Sequence, residues 1–500
     1  MNLLSIFEAI MRPVFFIFLL LLLPLHAKAG EIDRIAETYL AGKGIPASGR
    51  SDAARLARRY YLTVTDRIPT VEQAEAFIKN PDREALVDSL LASDGFVRKL
   101  VLKWGDLLRI KSEFPSCMWP NAVQAFNKWL TEEFRANTPY DEFVRHLLVC
   151  SGSNFRVPQT NFYRAGSDRT AAKFTSDVAL LFLGQRSAPA EWLPFFCQVK
   201  FKSSKEWKEE ILCLDIDAVP DSFKQTLGSD SVTLQPDTDF RIPFAEWLTS
   251  RNNRDFARAF ANRFWFWMTG CAIIDPVDDI AGREPSCPAL LDYLTDSFIA
   301  SGFNVRSLAR EILLSDVFCR STLSVPGNIS DRSGLSHFRQ TRITAEQLCD
   351  AICDITEVHD LYSSRAPEPF TNFPPGTHIN EVCDGTITTP QLDIFGRPSR
   401  DMALENSRDN SVNAKQILYL LNSTTIQDKL TKSPYLKSLN IYALRSTIDT
   451  IYLRVLSRHA SREETDAFLK WTSTTGEDGR KNIESLVWAL LNTDEFLFLN

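Results

Sequence analysis

The chain has 500 residues, of which 44% are hydrophobic, 24% charged and 11% aromatic, a composition that excludes wholesale disorder and suits two large or about three ordinary domains. Its 56 Lys+Arg against 63 Asp+Glu give a net charge of -7, which excludes the general basic footprint of a nucleic-acid partner or an anionic membrane surface.

At the N-terminus Val14 to Leu23 is an unbroken apolar run. Arg12-Pro13 precedes it, and Pro24, Leu25 and the triplet Ala27-Lys28-Ala29 follow before Gly30. That order of basic, apolar and small-residue regions predicts a secretory signal peptide over 1–29, cleaved after Ala29. A membrane span needs about 20 apolar residues, and this run stops at a proline after about a dozen. An uncleaved anchor is the alternative, and Arg12 leaves the start open between Met1 and Met11. No other stretch approaches a span, so the mature protein is expected to be exported to the periplasm, the cell surface or the medium.

Helical signals dominate from there on. Ser51 opens an Ala/Arg/Leu helix, and Thr70, Thr344 and Ser461 stand three residues before Gln73, Gln347 and Glu464, the spacing of a capping box. Apolar residues recur at helical spacing over 84–110, 121–135, 170–183, 253–268, 288–314, 412–421 and 482–491. Alternating patterns are scarce, the best lying near Ile211 to Ile216. Residues 200–208, with Lys200, Lys202, Lys205, Lys208, Phe201 and Trp207, read as a solvated helix face. The run Phe264-Trp265-Phe266-Trp267 reads as a buried helix, because four consecutive aromatics cover every side of one. The fold class is therefore mainly α and multi-helical: an N-terminal helical domain over 30–216, a polar Pro/Gly linker over 217–240, and a C-terminal helical domain over 241–500 with a long Pro/Gly-rich loop at about 357–398.

The two ends of the mature chain share an internal repeat. Tyr61, Leu62, Val64, Arg67, Glu72, Ala76 and Phe77 return at one constant offset as Tyr452, Leu453, Val455, Arg458, Glu463, Ala467 and Phe468, with Thr70 answered by Ser461. A second echo, L-x-[ST]-D-x-F, occurs at Leu91 to Phe96, Leu313 to Phe318 and Leu491 to Phe496. Both are architectural: Ser/Thr and Asp cap a helix while Leu and Phe fill a core.

Ten cysteines in an exported chain of this length are too dilute for a disulfide scaffold, and no C-x-x-C pair points to zinc or a redox dithiol. Cys197–Cys213 and Cys271–Cys287 are the candidate bridges, worth about 3 kcal/mol each if formed, with buried free thiols as the competing reading. Cys349 and Cys353, one turn apart on an apolar face, suit core packing. Six scattered histidines show no ligand spacing, so no metal is assigned.

The ordered motifs Arg58-Arg59-Tyr60-Tyr61-Leu62, Trp104-Gly105-Asp106-Leu107-Leu108, Thr138-Pro139-Tyr140-Asp141-Glu142-Phe143 and Leu183-Gly184 resemble the first of the paired domains of unknown function 1549 and 1553, found in secreted planctomycete-type proteins, often with cytochrome-type segments. Ala245 to Ser250, Asn262-Arg263 with Trp265, Asp275-Pro276-Val277-Asp278-Asp279, Phe395-Gly396-Arg397-Pro398 with Arg400, and Leu420-Leu421-Asn422 are similar to the second. The resemblance spans almost the whole mature chain. It implies a C-x-x-C-H haem motif after Leu183-Gly184, a His after the Asn-Arg-x-Trp motif and, in one subgroup, C-x-C after Phe-Gly-x-Pro. This sequence departs at all three: Pro189 to Leu193, including Trp192, stand at the first, Trp267 at the second, and Leu404 and Asn406 at the third. Haem and transition metals are therefore argued against, and the chain reads as a degenerate member.

Asp275, Asp278 and Asp279, with Glu284 beyond, form the densest acidic cluster. Such carboxylates can hold calcium or act as acid and base on a glycoside, or else cap helices and pair with Arg263 or Arg283, the reading preferred here. Arg397, Arg400 and Arg408, interleaved with Asp401, Glu405 and Asp409, read as an ion-paired surface. With Arg263 they are the candidates for binding a carboxylate or sugar acid. The function expected is an exported binding or scaffold protein whose partners are other exported proteins or polysaccharide. A hydrolase acting on polysaccharide through the acidic cluster and a redox or haem-associated protein are the alternatives.

Overall fold

Amphipathic helices build nearly all of the protein, as the periodicity requires. The structure, a computed structural model, describes residues 30–500 except 114, 219–220, 365–372 and 476–477. The segment read as a signal peptide, 1–29, and part of the Pro/Gly-rich loop lie outside the described residues. The predicted apolar windows become the helices Arg83–Leu91, Asp94–Leu107, Pro120–Ala136, Ala171–Leu183, Arg254–Thr269, Pro288–Ala300, Val305–Leu314, Ala414–Asn422 and Gly479–Leu491. The window 288–314 is interrupted because Gly302 and Phe303 take positive φ (69° and 59°), which ends the first helix. Thr70 and Thr344 form reciprocal capping boxes with Gln73 and Gln347, and Ser461 does the same with Glu464. The cap of Ala53–Thr65 is Asp52, not Ser51, whose hydroxyl accepts from Arg59 instead. Among the described residues no helix is long and apolar enough to cross a membrane.

Two segments differ from expectation. Residues 199–214 form a β-hairpin, Val199–Ser203 against Glu210–Leu214, with Gly152–Ser153 added to its edge, so the lysine stretch lies on a strand and turn and not on a helix. The segment read as a linker over 217–240 holds a second hairpin, Phe223–Leu227 against Asp230–Leu234. Phe223 packs edge-on against Phe240, and Leu227 and Leu234 are buried.

The apolar side chains gather in two cores, and these do not divide at 217–240. The first runs from Ile32 to Phe338, with Cys383 and Ala403. The second runs from Ile343 to Phe496 and includes Leu62 and Ile68 of the N-terminal part. Arg58 and Arg59 cross the seam on buried guanidinium groups, Arg58 donating to the carbonyls of Val455 (2.9 Å) and Phe496 (3.0 Å), and Arg59 to those of Arg320 (2.9 Å) and Asn500 (3.0 Å). A short strand pair, Thr341–Arg342 with Phe498–Leu499, lies on the same seam.

The repeat is structural. Helices Ala53–Thr65 and Leu444–Leu456 end on residues of positive φ, Asp66 (58°) and Ser457 (60°), at equivalent positions. Arg67 and Arg458 follow, the first pairing with Asp354 and the second with Glu464 and Glu495. In the second echo Ser315 and Thr493 accept from the backbone N–H of Phe318 and Phe496, while Ser93 donates back to Leu90.

All ten cysteines carry free thiols, so neither Cys197–Cys213 nor Cys271–Cys287 is bridged. The hairpin register opposes Cys213 to Lys200, while Cys197 lies before the strand, at the end of the short helical turn Ala190–Phe196. The Cys271 thiol is directed at the carbonyls of Arg332 (3.5 Å) and Ser333 (3.6 Å).

Candidate functional site

Where the two cores meet lies a cavity of about 790 Å³. Thr63 reaches it from Ala53–Thr65, and Lys99 and Lys103, one turn apart on the face of Asp94–Leu107, bring two ammonium groups to the same wall. Phe266 and Trp267 come from the end of Arg254–Thr269, Arg342 and Thr344 from the entry to Ala345–Thr356, and Glu405 and Arg408 from the segment beyond Phe395-Gly396-Arg397-Pro398.

Buried ion pairs hold these walls. Lys99 bonds Asp66 at 2.5 Å, and Gln347 Nε2 donates to the same carboxylate at 2.7 Å. Glu405 is held by Lys103 and by the Trp267 indole N–H at 2.9 Å. Burial alone would push its carboxyl up, but the Lys103 ammonium and these bonds keep it below its ordinary value. Asp106 receives Arg400 Nε at 2.9 Å and Arg408 Nη2 at 2.7 Å, while Glu346 receives Arg408 Nη1 at 2.5 Å and lies 3.5 Å from Arg397 Nε. Breaking such a pair would strand a charge away from water, which makes this network a rigid frame.

The structure brings the acidic loop and the arginine segment together, as separate side chains rather than one reactive cluster. Asp278, only 1% exposed, lies 3.7 Å from Arg263 and accepts the backbone N–H of Asn406 at 3.2 Å; burial raises its carboxyl. Asp279 turns outward to Arg283 (3.0 Å) and Arg186 (3.5 Å). Asp275 lines the cavity. Of the arginine candidates only Arg408 lines it. Arg397 and Arg400 are buried behind the wall, where Arg400 donates to the carbonyls of Ile110 (2.9 Å) and Cys383 (2.6 Å) and Arg397 to that of Ile387, and Arg263 is held on Asp278 and the Leu181 carbonyl. The arginines of the segment read as an ion-paired surface are therefore paired in the interior, because Asp106 and Glu346 supply buried counter-charges from two other helices, while Asp401 and Asp409 stay exposed.

Sequence reasoning missed Thr63, Lys99, Lys103, Arg342 and Gln347. No motif groups them, since they come from elements almost 300 residues apart. The helical spacing of Lys99 and Lys103 on an otherwise apolar face was the one local signal. A second constellation, also unread, joins the repeat to the Pro/Gly-rich loop: Asp354 receives Arg67 and His378 Nε2 (2.9 Å), and His359 stacks edge-on against His378 with ring centroids 5.3 Å apart. Among the described residues no group of three or more His, Cys, Asp or Glu side chains is arranged to hold a metal ion.

Residues 31–186 match the family model PSCyt2, a protein of unknown function (DUF1549), and residues 240–472 match PSD1, a protein of unknown function (DUF1553). The chain belongs to this paired family. No curated protein and no solved structure matches it. In the DUF1553 part Trp267 and Glu405 meet in the cavity wall, the indole N–H bonding the carboxylate, and Glu405 stands between Leu404 and Asn406 in the chain. In the DUF1549 part the carbonyl of Gly184 accepts the N–H groups of Ile280 (2.8 Å) and Ala281 (3.3 Å), just beyond Asp279 of the acidic loop. The chain then turns away, and Trp192 packs on Phe244 and Trp247 instead of entering the cavity.

Proposed function

We propose that this member of the DUF1549/DUF1553 pair is an exported, non-redox binding protein whose ligand seat is the cavity between the two cores. The observation that carries the reading is the cavity itself: about 790 Å³, within the range of small-molecule sites, with walls preorganised by buried ion pairs. Haem and transition-metal chemistry find no support in the residues present. Trp267, Leu404 and Asn406 offer neither thiolate nor imidazole, and Trp267 and Glu405 satisfy each other there. The hydrolase reading loses its paired carboxylates, since Asp278 and Asp279 are drawn in different directions by Arg263 and by Arg283 with Arg186. Soluble exported polysaccharide fragments are the natural source of a ligand of this size.

The test is thermal unfolding of the protein, purified after export from a haem-competent host, against a broad panel of sugars, sugar acids and small organic acids. The expected result is saturable stabilisation by at least one member, abolished in Ala272→Trp, which fills the cavity from its partly exposed lining. A flat panel, or stabilisation that survives Ala272→Trp, contradicts the seat. A Soret band or one equivalent of iron, copper or zinc returns the redox reading.

A further inference from the structure

Arg342 stands in the cavity wall with 6% of its surface exposed. Its guanidinium rests on three backbone carbonyls and lies over the Phe395 ring (5.2 Å to the centroid): Nε donates to the Asn410 carbonyl (3.2 Å), Nη2 donates to those of Phe395 (2.8 Å) and Asp409 (3.0 Å), and Nη1 is buried without a hydrogen-bond partner. Among the described residues no carboxylate lies within ion-pair reach of it. The Asp409 side chain, the charge acting on it from a distance, is exposed and accepts from Ser411 N–H instead. The other charges of the network are differently placed, since Lys99, Lys103 and Arg408 each close on a buried carboxylate. A guanidinium does not shed its proton, so a full positive charge is held out of water on carbonyl dipoles, an arrangement that a counter-charge would relieve.

The remaining lining is of one kind with this. Arg332 and Arg339 also line the cavity, are exposed, and pair with no carboxylate among the described residues. Asp275 and Glu284 are the opposing carboxylates, both exposed, where water and salt weaken them, whereas Arg342 acts from a buried position. The uncharged lining combines the aromatic rings of Phe266, Trp267 and Phe498 with the hydroxyls of Thr63 and Thr344, and the Thr63 Oγ1 is buried without a partner. Aromatic faces suit the C–H faces of a sugar ring, hydroxyls suit its hydroxyls, and a planar guanidinium suits a carboxylate.

Resting on the reading of the cavity as a ligand seat, we propose that its ligand is a carboxylate-bearing saccharide, a uronic acid or short uronate oligomer, with the carboxylate on Arg342. The experiment is calorimetric titration of the full-length mature protein with glucuronate, galacturonate and mannuronate as monosaccharides and disaccharides, each beside its methyl ester. The ester keeps the ring and removes the charge. At least one acid is expected to bind about tenfold or more tightly than its ester, the size of one lost charge-assisted contact, and to weaken as salt rises. Arg342→Lys keeps the charge but loses the unpartnered Nη1 donor and should weaken the acid selectively. Arg339, exposed in the cavity wall beside the Cys271 thiol, gives the second variant: Arg339→Gln should weaken the acid several-fold while the circular-dichroism spectrum stays that of the wild type. Equal binding of acid and ester, or no uronate binding while a neutral sugar still stabilises the protein and Ala272→Trp abolishes that effect, overturns the anionic ligand and leaves the seat standing. No response to any uronate or to the broad panel overturns both.

Discussion

Replacing Glu346 by Gln removes the charge on which Arg408 and Arg397 close. Glu346 is fully buried, and burial alone would raise its carboxyl, yet the guanidinium of Arg408, and then that of Arg397, hold it at about 2 against an ordinary 4.5. A depression of that size corresponds to roughly 3 kcal/mol of stability at neutral pH. Leaving two guanidinium groups short of a partner adds to it, so the expected loss is about 3–5 kcal/mol, the usual cost of breaking a buried pair. Because the folded carboxyl is depressed, its contribution is fully present above 4.5 and is lost as pH falls toward about 2. Urea denaturation of wild type and variant, at pH 7 and again near pH 3, should therefore show a wide gap that narrows on acidification. A gap below about 1 kcal/mol at pH 7, or one that acid leaves unchanged, would refute the claim that this network frames the cavity.

Three further outcomes are expected. Asp350, buried beside Ile379 N–H (2.8 Å), has its carboxyl pushed up to about 7 by burial, so the protein should lose stability as pH rises from about 4 through about 7; Asp350→Asn should flatten that window in denaturation midpoints, and a parallel pH profile would count against it. Trp267→Phe keeps the edge-on packing against Trp104 but deprives Glu405 of its indole donor, which should lower stability by about 1–3 kcal/mol without affecting helix content by circular dichroism. Mass spectrometry of the exported protein should find its N-terminus at or near Gly30, and an intact hydrophobic leader on mature chains would contradict export by cleavage.

The helices were legible because each carries its own signal: a 3.6-residue apolar period and, at Thr70, Thr344 and Ser461, a side chain whose partner is three residues away. Of the hairpins over 199–214 and 223–234 only the strand Glu210–Leu214 showed, as the alternating pattern near Ile211; its partner Val199–Ser203 alternates apolar residues with Lys200 and Lys202, and Phe223–Leu227 and Asp230–Leu234 are largely polar. The boundary near 217–240, read from composition, falls between the two family matches, 31–186 and 240–472, while the apolar clusters part near residue 340 and Leu62 and Ile68 of the N-terminal part pack with the last helices. Composition marks where a chain turns, not which apolar faces meet. The arginine-rich segment showed in the sequence as charges, but their burial depends on Asp106 and Glu346, which are local to nothing in that segment. Arg342 had no sequence signal at all: its meaning lies in the carboxylate it lacks, and only the fold shows that.

Crystals of the mature protein grown with the tightest uronate of the panel test the central claim most directly. Electron density for the sugar between the two cores, with its carboxylate facing Arg342, is the predicted result. Density at any other surface, with only water in the cavity beside Trp267 and Glu405, would contradict it.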